Sequence, residues 1–240
     1  MIPFSPALKR LGLVLFSLGV LLAFFLIALM TWADVEAFSY GFPRYGKEPM
    51  SGLSCPTFMS TAGNAQFSVT LKNATERRLT PQVQVMVSEP GLSRWATDTK
   101  PVEMETGETE TVTWEVSANN VVLGSFVFVK AYTFASYPQP DVEGTCGIFV
   151  VGIPWLRGDV LYWLWLATSL VLLVAGLWLS DFRRVEEVQG AGKSLARKVL
   201  AALAVIGLIV GSAGWWPVGV FIIIVIAVAL PAILFFGQDK

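Results

Sequence analysis

Residues Leu11 to Met30, LGLVLFSLGVLLAFFLIALM, form an unbroken apolar run without one charged side chain. At about 1.5 Å of rise per helical residue, such a run covers a hydrocarbon core of about 30 Å. Lys9 and Arg10 precede it, as they would precede a secretory signal. The run exceeds the roughly 7–15 apolar residues of a cleavable signal, however, and no A-x-A pattern stands at Thr31-Trp32-Ala33. A retained signal anchor is the expectation, with a cleaved leader as the alternative. Three more apolar runs follow, Val160–Leu179, Val199–Ala213 and Val218–Phe236. Only Gly214-Trp215-Trp216-Pro217 separates the last two, so they are expected to form a helical hairpin. Trp32, Trp155, Trp178, Trp215 and Trp216 flank these runs, where an interfacial belt places tryptophan.

The expected class is therefore a membrane protein with four transmembrane α-helices. Basic residues fix the expected orientation, because Lys and Arg near span ends stay cytoplasmic. Lys9 and Arg10 lie before the first run, Arg183, Arg184, Lys193, Arg197 and Lys198 follow the second, and Lys240 ends the chain. With four spans, all three groups fall on one side. This gives a cytoplasmic N-terminus with helix 1 over residues 1–32, an extracytoplasmic domain over 33–157 and helix 2 over 158–180. A basic cytoplasmic loop over 181–198 and a hairpin of helices 3 and 4 with a cytoplasmic tail over 199–240 complete the order. The predicted location is the cell membrane, multi-pass, with both termini cytoplasmic.

Composition narrows the chemistry. The 240 residues are 54% hydrophobic and 15% charged, with 17 Lys and Arg against 18 Asp and Glu. That balance offers no basic excess for nucleic acid. With no histidine in the chain, His-ligated metals and Ser-His-Asp or Cys-His catalysis have no starting material. Gly190-Ala191-Gly192-Lys193-Ser194 imitates the end of a phosphate-binding loop, but Glu187 stands where its first glycine is required. No nucleotide and no cofactor is expected, and Lys193, Arg197 and Lys198 read as a flank for anionic headgroups.

Residues 33–157 have a different texture. Gln66–Lys72, Gln82–Ser88, Thr111–Ser117, Ser125–Thr133 and Thr145–Val151 read as strands. Phe67, Val69 and Leu71 alternate with polar neighbours, as do Val83, Val85 and Val87, and Val112, Trp114 and Val116. Lys72–Arg77, Glu89-Pro90-Gly91 and Thr106-Gly107-Glu108 supply turns. Period-two patterning with regular turn signals predicts an all-β antiparallel sandwich. The order FSVTLKNATERRL, QVQVMVSEPG, METGETETVTWEVS resembles the immunoglobulin-like (CARDB-like) modules of bacterial envelope proteins over residues 60–150. That resemblance implies a binding or scaffolding module and carries over no catalytic residue.

Cys55 and Cys146 are the two cysteines, and both fall in the predicted exported domain. In an oxidising compartment one disulfide is expected, closing a loop of about 90 residues for about 4 kcal/mol. Two buried free thiols are the alternative. Glu103, Glu105, Glu108, Glu110 and Glu115 cluster in sequence. Without Asp or Asn converging in one loop they read as a solvated acidic strand edge rather than a calcium site, and no metal is assigned.

In helix 3, Gly207 and Gly211 make a G-x-x-x-G face. Packing against helix 4 is its expected use, and a subunit contact is the alternative. Tyr40, Phe42, Tyr45, Tyr132, Phe134 and Tyr137 lie in Pro- and Gly-containing stretches. They are a candidate partner surface, or else they rest on headgroups or cap the core. Taken together, the expectation is a non-catalytic, membrane-anchored binding or accessory subunit, not an enzyme. Its partners are the lipid bilayer and a membrane or envelope protein. A transport-associated subunit assembling through helix 3 is the second reading.

Overall fold

The computed structural model describes residues 6–134, 140–181 and 191–236. The chain divides into two compact units, one of Met1–Thr31 with Trp163–Lys240 and one of Trp32–Tyr162. Four α-helices are described, α1 (Pro6–Ser39), α2 (Gly158–Asp181), α3 (Ala191–Ser212) and α4 (Trp216–Phe236). Among the described residues, three segments are long and apolar enough to cross a membrane, Arg10–Ser39, Gly158–Ser180 and Ser194–Ser212. The corresponding apolar part of α4 is shorter, Trp216–Pro231.

In the helical unit α1 supplies the buried centre, with Phe16, Val20, Ala23, Leu26, Ile27 and Met30 shielded from the surface. Missing side chains allow close approach. A Cβ on Gly176 of α2 would lie 2.3 Å from the Phe16 backbone nitrogen, so α1 and α2 touch at backbone distance. The Trp165 indole N–H donates to the Leu22 carbonyl at 3.0 Å and ties the same pair.

The described residues of the sandwich unit form nine strands: β1 (Glu48–Pro49), β2 (Leu53–Ser54), β3 (Phe58–Ser60), β4 (Ala65–Lys72), β5 (Gln82–Glu89), β6 (Arg94–Pro101), β7 (Thr109–Val116), β8 (Phe126–Phe134) and β9 (Val142–Val151). The larger sheet has the order β1-β9-β8-β5-β6, with β3 also on β9, and the smaller has the order β2-β4-β7. The long strands pair antiparallel, whereas β1 and β3 run parallel to β9. The alternation in sequence places Phe67, Val69, Trp114 and Val116 of the small sheet against Val83, Val85, Val127, Val129, Ala131, Ile148 and Val150 of the large one. Phe67 and Trp114 stack at 5.6 Å. At the β6 side, the Trp114 indole N–H donates to Asp98 at 2.8 Å while the Lys100 ammonium sits 4.6 Å over its ring. Cys55 and Cys146 are joined in a disulfide with Cα atoms 6.4 Å apart.

The short strands β1, β2 and β3 were not predicted, and β1 and β3 lie parallel to β9 where an antiparallel sandwich was expected. Two further features depart from the sequence expectation. Strand β6, RWATDTKP, was not among the predicted strands; it is an edge strand whose side chains are mostly exposed, so no apolar rhythm marks it. Helix α1 does not stop near Met30 but continues to Ser39, because Ala33 and Ala37, one turn apart, are completely buried against the large sheet.

Candidate functional site

The outer face of the large sheet is covered. Strand β8 is buried on both sides along nearly its whole length. Val127, Val129 and Ala131 face the small sheet, and Phe126, Phe128, Lys130 and Tyr132 face the other way. Over this second set lie the last turns of α1 and the strap of residues 40–46. The helix lies so close that a Cβ on Gly147 would fall 2.0 Å from the Ala33 carbonyl oxygen. Instead the Gly147 N–H donates to the Asp34 carboxylate at 3.1 Å.

Aromatic rings fill the rest of the cover. Trp32 meets Phe126 at 5.8 Å, Phe126 meets Phe149 at 5.3 Å, and Tyr40 meets both Phe128 and Phe42, at 5.0 and 5.1 Å. Phe42 then reaches Trp95 of β6 at 5.6 Å. The Tyr40 hydroxyl donates to the Arg94 carbonyl at 2.8 Å and closes the strap onto that edge.

A buried cation fastens the strap. Lys130, with 2% of its side chain exposed, sits 2.8 Å from the Glu143 carboxylate and donates to the Pro43 carbonyl. The same Glu143 oxygen accepts the backbone N–H groups of Tyr45 and Gly46 at 2.8 and 2.9 Å. The strap has no ladder of its own, so these two side chains supply partners its backbone otherwise lacks. Burial pushes the Glu143 carboxyl up, but hydrogen bonds from Lys130, Gly46 and Tyr45 outweigh it and hold the group below the usual carboxylate range.

The expected partner surface is therefore divided. Phe42 and Tyr132, 8% and 5% exposed, belong to the core of the covered face rather than to a partner surface, because the strap turns the Phe42 ring inward and covers Tyr132 of β8. Tyr40, the first residue of the strap, is half-buried against Phe128. Tyr45 and Phe134 remain open at 50% and 43%. Both rest on Tyr132, with ring centroids 5.4 and 4.6 Å away, and form a small aromatic shelf where β8 ends and β9 begins. Tyr137 lies outside the described residues.

The acidic side chains spread out rather than converge. Glu103 and Glu105 pair with Arg78, Glu108 accepts the Glu105 N–H at 2.6 Å, and Glu115 accepts from Gln66 at 3.1 Å. Among the described residues no group of carboxylates, cysteines or histidines has the arrangement to hold a metal ion. Beside these carboxylates, Asn73 is a hub that sequence reasoning took for an ordinary turn residue. It is fully buried, its amide donates to the carbonyls of Arg77, Met104 and Glu105, and its oxygen accepts from Thr75.

A groove of about 570 Å³ opens at the opposite end of the sandwich, between the 56–66 segment, Glu115 and the residues leading into α2. Asn64, Gln66, Trp155, Arg157 and Asp159 are among its walls, with Arg157 and Asp159 paired at 2.9 Å. In the helical unit the glycine face of α3 meets more than α4. A Cβ on Gly207 would fall 2.6 Å from Ile27 of α1 and 3.0 Å from Ile222 of α4, and one on Gly211 would fall 2.7 Å from Met30. Of the phosphate-loop imitation, Gly190 lies outside the described residues and Ala191–Ser194 open α3.

No family model and no curated protein matches the sequence. Solved structures similar to part of the chain include the CARDB domain of a Pyrococcus furiosus protein in complex with di-metal ions. It is 13% identical over 42% of this chain and 89% of that one, with a TM-score of 0.34. A β-glucosidase from Erythrobacter marinus is 18% identical over 40% of this chain and 14% of its own, with a TM-score of 0.31. The alkylpurine DNA glycosylase AlkC of Pseudomonas fluorescens is 11% identical over 41% of this chain and 29% of its own, also at 0.31.

Proposed function

We propose that this protein is a multi-pass membrane protein of four spans, whose extracytoplasmic sandwich is a non-catalytic accessory module that binds another membrane or envelope protein. The 21 residues of α4 amount to about 31 Å of helix, which supports a fourth span and both termini on the cytoplasmic side with the basic segments. The observation that carries the binding reading is the shelf of Tyr45 and Phe134. Exposed aromatics held by a buried ring lose little freedom on binding, which is what a hot spot needs. Tyr132 supplies that backing, and the Lys130–Glu143 pair holds the strap that carries Tyr45. The transport reading loses its motive, since Gly207 and Gly211 are occupied by α1 and α4 of the same chain.

A photo-crosslinking amino acid placed at Tyr45 or Phe134, in the full chain in its native membrane, tests this. A discrete adduct of one mass from both positions, and none from the exposed Thr111 on the small sheet, is the expected result. No adduct from the shelf, or the same products from all three positions, would overturn the proposal.

A further inference from the structure

Two exposed apolar side chains of the sandwich have no use in its packing. Leu123 holds a left-handed backbone, φ 48°, with its side chain 64% exposed. That conformation costs a leucine roughly 1 kcal/mol and is the ordinary setting of Gly or Asn. Trp155 is 82% exposed in the loop before α2.

Hydrogen bonds put both at one level. The Leu123 turn is closed by paired bonds between Val122 and Phe126, and the Val150 N–H donates to the Ser125 carbonyl at 2.8 Å. Next to this, the Ser60 hydroxyl donates to the Ile153 carbonyl at 2.9 Å, two residues before Trp155. The same level is where the chain passes into its apolar helices. Trp32 of α1 rests on Phe126, and a Cβ on Gly158, the first residue of α2, would fall 2.0 Å from the Phe58 carbonyl oxygen.

We propose that this end of the sandwich docks on the phospholipid headgroup layer, with Leu123 and Trp155 as its apolar contacts. The inference rests on the reading that α1 and α2 cross the membrane. If they do, the bilayer surface begins within about one helical turn of Trp32 and Gly158, and an outward Leu at a loop tip meets lipid rather than water. A tryptophan at that depth has its indole in the region it favours. Arg157, Asp159 and Asn64, around the groove beside Trp155, then face headgroups of either charge. Leu92 provides an internal contrast. It is 94% exposed on the β5–β6 turn, where Ser93 donates to the Tyr40 carbonyl. Tyr40 lies eight residues beyond Trp32, which is about 12 Å along a helix axis.

The test uses the full chain in nanodiscs of phosphatidylcholine and phosphatidylglycerol. The disulfide leaves no free cysteine, so Leu123→Cys, Trp155→Cys, Leu92→Cys and Val171→Cys each carry one nitroxide. Val171 lies within α2 and reports the span itself. The expected result is an oxygen-to-nickel-chelate accessibility ratio at 123 and 155 several-fold above that at 92 and below that at 171, as for sites at headgroup depth. If 171 is oxygen-rich while 123 or 155 matches 92, docking is wrong and the span reading stands. If 171 also matches 92, the span reading fails and takes the docking with it. Leu123→Asn, which suits the left-handed backbone, is expected to keep or raise the thermal midpoint in detergent. A lower midpoint would mean that Leu123 serves the fold, and would overturn the proposal.

Discussion

The two faces of the large sheet are held by different physics. Towards the small sheet lie Val83, Val85, Val127, Val129, Ala131, Ile148 and Val150, an aliphatic set without a polar side chain. Two sheets about 10 Å apart need only side chains that interdigitate, since each backbone is already satisfied by its own ladder. Towards α1 and the strap lie Phe126, Phe128, Tyr132, a lysine and a glycine. A helix end and an irregular segment leave gaps of unequal depth and unpaired backbone groups. Large rings fill the deep gaps, Gly147 yields where the helix touches, and Lys130 with Glu143 completes the strap's hydrogen bonds. A cover without secondary structure therefore requires specific residues, where a second sheet requires only apolar ones.

If that contrast is correct, single substitutions on the covered face cost more than volume changes on the inner face. Gly147→Val is the largest case, because the new side chain meets the Ala33 backbone and the helix end must lift from β9. A loss of 4 kcal/mol or more, on the order of the exceptional class of point mutants, is expected in guanidinium unfolding of the detergent-solubilised chain. Val127→Ala on the inner face should cost about 2 kcal/mol, the range of a small cavity. Equal losses at the two sites would break the comparison. Lys130→Met comes next, at about 3 kcal/mol, because it leaves Glu143 and the Pro43 carbonyl without their cation. Amide exchange should rise across residues 40–46 and stay unchanged in β4 and β7. Combining it with Glu143→Gln should recover part of the loss, since the amide oxygen still accepts from Tyr45 and Gly46.

How much of this was legible follows the same division. Strands β4, β5 and β7 announce themselves because one face of each is buried and the other wet, so Phe67 and Trp114 stand out as core. Both cysteines were visible as a pair within one domain. Strand β6 has an exposed edge and is held by backbone bonds to β5, which no side-chain rhythm records. Ala33 and Ala37 carried a weak signal, two small residues at helical spacing beyond the apolar run, and Asp34 and Glu36 masked it. Of the open readings for the aromatic set, Phe42 and Tyr132 take that of capping the core; for Phe42 the irregular strap has no period that says which way its ring faces, whereas Tyr132 follows the register of its strand. Lys130 had a readable register with Phe126, Phe128 and Tyr132, but a charge at that position reads as solvent-facing unless its partner, thirteen residues on, is known.

On the inner face, Trp114→Phe keeps the ring beside Phe67 and removes the hydrogen bond to Asp98. The expected loss is about 1–1.5 kcal/mol, typical of a bond to a charged acceptor that water can replace at the sandwich edge. Asp98→Asn in the same background should then add little, and a full additive loss would mean that the indole bond was not what Asp98 contributes.

The smallest effect is the pH response of the strap. Glu143 titrates below the usual carboxylate range when folded, so the unfolded chain takes up its proton first as pH falls. The stability it contributes is therefore present above the unfolded value, about 4.3 for a glutamate, and is lost as pH drops through the folded value. Protonation weakens the bond to Lys130, yet the neutral carboxyl still has an oxygen to accept from Tyr45 and Gly46, which keeps the loss small. Amide exchange at residues 45 and 46, corrected for intrinsic rates, should accelerate on acidification before that of β8 and β4. In Glu143→Gln that acid-dependent step should vanish, because the amide does not titrate. If it persists there, the acid response belongs to another carboxylate and not to the Glu143 anchor of the strap.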